Sequence, residues 1–78
     1  MYTDAMRRAF HSITAPKNFA VQIIDNEHFL TVKASEPAFF SLNSEDKRRA
    51  IEYMLRVKKA LEDNGAIVLL IREGGKED

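Results

Sequence analysis

The chain of 78 residues contains no cysteine. This absence excludes disulfide bonds, thiolate catalysis and zinc or iron–sulfur sites with cysteine ligands. A domain of this size buries only about 60% of the surface of its unfolded chain, so its core supplies on the order of a few kcal/mol of net stability. Small domains without such crosslinks often bury an apolar surface against a second copy or a partner. Association is therefore expected before any motif is considered.

An excess of charge is also missing, because 12 basic residues balance 12 acidic ones. Neutralisation of phosphates dominates the affinity of nucleic-acid binders, which usually carry a basic excess. The longest apolar run is far shorter than the roughly 18 residues that a membrane span needs, and the N-terminus lacks the continuous apolar segment of a secretory signal. We therefore expect a cytoplasmic protein that does not enter a membrane.

Motifs of known reactions and of common cofactor sites are absent. No serine lies in a G-x-S-x-G motif, and no glycine lies between a strand and a following helix as in a phosphate loop. His11 and His28 lack the spacing of a metal site, and residues 25 to 27 have the composition of a turn. We therefore predict that the chain is not an enzyme and binds no cofactor or metal.

The order of elements predicted from the hydrophobic pattern is α-β-β-β-α-β, in a single small α+β domain at residues 1 to 72. Residues 73 to 78 are expected to form a charged, flexible tail. Because a helix connects the third and fourth strands, a right-handed crossover places the last strand parallel to an earlier one. We therefore predict two layers: a mixed four-stranded sheet, and both helices packed on one of its faces.

Both predicted helices have recognisable ends. Thr3 is expected to cap a short helix at residues 3 to 13, and either Asn43 or Ser44 caps the long helix. Asn64-Gly65 favours a left-handed stop at the end of the long helix. The apolar residues of the long helix that are expected to face the core are Ala50, Ile51, Met54, Val57 and Leu61. Tyr53 is expected to lie outside this stripe, near its polar boundary.

Four segments have the composition of strands. The first two, at residues 19 to 24 and 29 to 34, are expected to form a hairpin, and a third strand is expected at residues 38 to 42. The last segment, residues 66 to 71, has no polar residue, so we expect an inner strand covered on both faces. The predicted core face of the hairpin consists of Phe19, Val21, Ile23, Leu30, Val32 and Ala34.

The predicted helices cover only one face of the sheet, which leaves large apolar residues on the other. We expect Phe29 and Phe39 to form an exposed aromatic patch on this open face, with Thr31 and Lys33 at its rim. Such a patch can stack nucleic-acid bases, as RNA-recognition sheets do, or bury against another protein; without a charge excess, protein contact is the preferred use. We therefore predict a non-catalytic protein–protein interaction module, either a homodimer or a regulatory or adaptor subunit.

Nucleic-acid binding is the alternative, through Lys47, Arg48 and Arg49 at the basic start of the long helix. This Lys-Arg-Arg run and the element order loosely resemble double-stranded RNA-binding domains, which grip phosphates with lysines at the start of their final helix. The additional terminal strand departs from that family. Acidic residues alternate with the basic residues along this helix. The expected ion pairs are Glu45 with Arg49, Glu52 with Arg56, Lys58 with Glu62, and Lys59 with Asp63. A self-neutralised surface is therefore expected, and protein binding is the preferred prediction.

Overall fold

The computed structural model describes residues 1–17, 19–34 and 43–71 of the chain. Its elements are α1 (Asp4–His11), β1 (Val21–Asp25), β2 (Leu30–Ala34), α2 (Ser44–Asp63) and β3 (Val68–Ile71). The α+β class with a mixed sheet is confirmed, but the described order is α-β-β-α-β and the described sheet has three strands where four were predicted. The predicted strand at residues 38 to 42 and the predicted tail at residues 73 to 78 lie outside the described residues.

The two helices begin at the polar side chains that the sequence indicates. The Thr3 hydroxyl accepts a hydrogen bond from the backbone N–H of Met6 at 3.1 Å. Asn43 rather than Ser44 caps α2, because its side-chain oxygen accepts from the backbone N–H of Asp46 at 2.8 Å. Each cap satisfies a backbone donor that has no partner within its own helix.

The end of α2 is a Schellman motif, in which Gly65 has a φ of 100°. The N–H of Ala66 donates to the carbonyl of Leu61 at 3.1 Å, and the N–H of Gly65 donates to the carbonyl of Glu62 at 3.0 Å. Glycine adopts this left-handed conformation without the steric cost of a Cβ atom. The predicted left-handed stop is therefore confirmed, and it directs the chain back towards the sheet.

The central strand of the described sheet is β2, which pairs antiparallel with β1 and parallel with β3. Among the described strands β3 pairs with β2 alone, so it lies at the edge of the described sheet, where an inner strand was predicted. Leu69 in its middle is 48% exposed. The apolar run at residues 66 to 71 is thus covered on one face and open on the other.

The core lies between the sheet and the helices. α2 packs on β2 and β3, α1 packs on α2, and Met6 of α1 is fully buried in the same core. Tyr53 belongs to this core and Ile51 is partly exposed, which reverses the prediction for these two residues. Successive residues of a helix are rotated by about 100°, so Tyr53, three positions after the buried Ala50, faces the core, while Ile51 points away from it. The buried stripe is Ala50, Tyr53, Met54, Val57 and Leu61.

Candidate interaction surface

The sheet face opposite the core, here called the open face, consists of Gln22, Ile24, Thr31, Lys33, Leu69 and Ile71. The alternation of side chains along each strand separates these residues from the core face. Across the three strands, Ile24 lies opposite Thr31 and Thr31 lies opposite Leu69. Ile24 and Leu69 are both exposed. The middle row of the open face therefore has two exposed apolar side chains, one on each side of a threonine.

Thr31 lies on the central strand of the described sheet, between Ile24 and Leu69 in the strand register. It is only 4% exposed, because it belongs to the central strand and has neighbours on both sides. Its hydroxyl oxygen accepts a hydrogen bond from the side-chain amide of Asn26 at 3.3 Å. Thr31 is therefore a buried polar residue whose hydroxyl has a hydrogen-bond partner, and it lies between the exposed Ile24 and Leu69.

Phe29 lies just before β2 and is half-buried. Its carbonyl accepts from the backbone N–H of Asn26 at 2.9 Å, which closes the turn between β1 and β2. Its side chain lines a cavity of about 260 Å³ at this end of the sheet, together with the exposed Ile67 and with Met1. Phe29 and Ile67 thus continue the apolar surface beyond the strand ends.

The remaining two residues of the predicted patch have different outcomes. Lys33 is half-buried on the open face, between Gln22 and Ile71 in the strand register. Phe39 lies outside the described residues. Sequence reasoning did not assign Ile24, Ile67 and Leu69 to this surface, although their odd–even alternation with Ile23 and Val68 would have indicated them.

The basic start of α2 is extensively paired. Arg48 bonds to Glu45 at 2.7 Å and to Glu52 at 2.8 Å, and Arg49 lies 3.2 Å from the Glu45 carboxylate. The hydrogen bond from Arg48 and its charge lower the pKa of Glu45. The Glu45–Arg49 pair was predicted, whereas Glu52 pairs with Arg48 rather than with Arg56.

Lys47 of the same run is half-buried. The two other predicted pairs of α2 are present, at 2.6 Å between Lys58 and Glu62 and at 3.7 Å between Lys59 and Asp63. Much of the positive charge on this helix is thus neutralised within the chain.

No group of three or more histidine, aspartate or glutamate residues in the described part of the chain could hold a metal ion. Both histidines are exposed: His28 lies 3.9 Å from Glu27, and the ring of His11 contacts that of Phe10. Within residues 1–17, 19–34 and 43–71, no helix is both long and apolar enough to cross a membrane.

Comparison of the chain with protein-family models, with curated proteins and with solved structures finds no match. Functional inference therefore depends on the geometry of the chain itself, of which the open face is the most distinctive part.

Proposed function

We propose that this chain is a small non-catalytic association module and that its partner is a second copy of itself, bound through the open face. The observation that carries the proposal is that Ile24 and Leu69 are both exposed on the open face, one on each side of the buried Thr31. A β-sheet normally buries one face and leaves a polar face to water. Apolar residues on the second face of a small domain are typical of an interface.

A second copy is compatible with the net charge of the chain as the occupant of the open face. The formal net charge of the chain is zero, so two copies have no net repulsion. The open face has its apolar row at the centre, with Gln22 and Lys33 beside it. Two such faces can stack about a two-fold axis at the spacing of about 10 Å that is usual for packed sheets. The product is a four-layer dimer with helices on both outer surfaces.

The size of the open face limits the affinity of this dimer. Strands about 4.8 Å apart, with about 3.3 Å per residue, give two five-residue strands and one four-residue strand a footprint of roughly 220 Å². Stable complexes bury about 800 Å² on each partner. We therefore propose a weak dimer, in which Phe29 and Ile67 at the strand ends enlarge the contact.

The decisive experiment compares two leucines of similar exposure. Leu69 on the open face is 48% exposed, and Leu55 on α2 is 51% exposed. Light scattering or sedimentation of the full chain should show a mass that rises with concentration. Leu69→Lys should keep the chain monomeric, because dimerisation would desolvate the new ammonium group, while Leu55→Lys should associate as the unchanged chain does.

A monomeric unchanged chain at millimolar concentration would exclude the homodimer. A folded Leu69→Lys chain that still associates would exclude this face. Circular dichroism checks the fold of each variant, and Ile24→Lys replaces Leu69→Lys if the latter does not fold. Nucleic-acid binding through Lys47, Arg48 and Arg49 stays the alternative, but it has weaker support because both arginines pair with Glu45.

A further inference from the structure

A second surface, here called the basic cleft, lies between α2 and the connection from α1 to β1. Its volume is about 290 Å³. Residues 14–16 of the connection form one wall, and Arg49, Glu52, Tyr53 and Arg56 of α2 form the other. We propose that the basic cleft binds a small organic phosphomonoester. This inference is independent of the association proposed above, since it uses the helix layer and not the open face.

Tyr53 provides a hydrogen-bond donor in the lining of the cleft. Its side chain is 7% exposed and its ring packs edge-on against Phe19, with centroids 6.1 Å apart. The hydroxyl bonds to no other described residue, yet no buried side-chain oxygen or nitrogen of the described residues lacks a partner. The hydroxyl is therefore exposed to solvent, and Tyr53 belongs to the lining of the cleft. Burial raises the pKa of Tyr53, so the hydroxyl keeps its proton at neutral pH.

Arg49 and Arg56 provide the positive charge. They are seven positions apart, which is about two helical turns and places them on one side of α2. Arg56 makes no ion pair with any described residue. Arg49 has one contact, at 3.2 Å, with a Glu45 carboxylate that is nearer to Arg48, at 2.7 Å. The Arg56 guanidinium is thus available to an incoming anion, and Arg49, which keeps its single contact with Glu45, has further N–H donors that can reach the same anion.

Glu52 is the one acidic residue in the lining of the basic cleft. Its carboxylate is bonded to Arg48 at 2.8 Å, which directs its charge to a group outside the cleft. Two arginines against one glutamate leave the lining with a positive formal charge. Arginine binds phosphate oxygens in a bidentate fashion, and the Tyr53 hydroxyl adds a third donating side chain to the lining.

The size of the cleft selects the class of anion. Small-molecule sites usually range from about 300 to 1,000 Å³, and the basic cleft, at about 290 Å³, is near the lower end. Inorganic phosphate occupies only a small part of such a space. Ala15 and Pro16 offer an apolar wall to the carbon atoms of a small ester, and Thr14 adds a hydroxyl. A phosphate group joined to a few carbon atoms is therefore the expected ligand.

The test is a titration of the full chain with glycerol phosphate and with inorganic phosphate, followed by amide chemical shifts at constant ionic strength. Shifts should centre on Arg49, Tyr53 and Arg56, and the ester should bind more tightly than inorganic phosphate. Arg56→Gln should weaken binding by about tenfold through loss of a charged pair. Tyr53→Phe keeps the ring and should weaken it by about threefold or more.

Arg8→Gln is the matched control, because Arg8 is exposed on α1, makes no ion pair with a described residue and does not line the cleft. The proposal is overturned if Arg8→Gln weakens binding as much as Arg56→Gln, or if a folded Tyr53→Phe chain binds unchanged. It is also overturned if the shifts lie elsewhere. Tighter binding of a single-stranded RNA oligonucleotide, lost in the same variants, would overturn the assignment to a small ester.

Discussion

The two faces of the sheet are built from the same three strands, and in β3 both faces carry apolar side chains, yet the surroundings of the two faces differ. On the core face, Leu30 and Val68 are paired in the register and both are buried under α2. One residue further along each strand, Thr31 is paired with Leu69, and the leucine is exposed. The comparison teaches that apolar content alone does not determine burial. The core face lies under α2, whereas none of the described helices covers Leu69 on the open face.

The largest expected effect contrasts Leu30 with Leu69. Leu30→Ala should lower the free energy of unfolding by about 2–5 kcal/mol, because a leucine that is 1% exposed leaves a cavity. Leu69→Ala should cost roughly 1 kcal/mol in the monomer, since the side chain is already about half in water. Urea unfolding at micromolar protein concentration measures both. Equal losses would mean that the two faces are equally covered.

A smaller effect concerns the polar centre of the open face. Thr31→Val keeps the shape of the side chain but removes the hydroxyl that Asn26 contacts at 3.3 Å. We expect a loss of about 1 kcal/mol, because the amide of Asn26 loses its partner. A double-mutant cycle with Asn26→Ala isolates the pair, and its coupling energy should be about 0.5–1.5 kcal/mol. A coupling near zero would show that water satisfies both groups equally well.

The smallest effect belongs to the core layer and appears only at alkaline pH. Burial raises the pKa of Tyr53 above its ordinary value of 10.0, so the folded chain holds the phenolic proton more tightly than the unfolded chain. Stability from this difference is present below pH 10 and falls as pH rises through the raised pKa. Tyr53→Phe should reduce the fall in unfolding free energy between pH 9 and 11.

The pKa of Tyr2 is also raised, chiefly by burial, so Tyr2→Phe is the companion variant. In both variants the free energy of unfolding should fall less steeply with pH above pH 9. The free energy of unfolding at pH 7 measures the effect of each substitution on packing. An unchanged slope in both would contradict a buried tyrosine in the helix layer.

Local features of the fold were predictable because neighbouring residues determine them. Thr3 and Asn43 are caps by virtue of a side-chain oxygen before an acidic first turn, and Gly65 ends α2 because it tolerates positive φ. The predicted core face of the hairpin was also correct, because its residues belong to the core or pack against it, as alternation along the strands indicates.

Features that depend on distant parts of the chain were not predictable in the same way. The run at residues 66 to 71 is apolar on both faces, and its sequence does not reveal which face lacks cover. Tyr53 and Ile51 both border the stripe of α2, so a small rotation of the helix decides which of them is buried. The candidate surface was assigned to the correct face for Thr31 and Lys33, but its exposed apolar members were missed.

The parallel pairing of β2 with β3 has a consequence for the order of folding. β1 and β2 are adjacent along the chain and can form their hairpin within microseconds. Leu30, in contrast, pairs with Val68 only after the chain between them, which includes α2, has closed into a loop. Closing this long loop costs chain entropy before any contact repays it. Docking of β3 is therefore expected to be the late step. The turn at Gly65, which ends α2, directs the chain into β3.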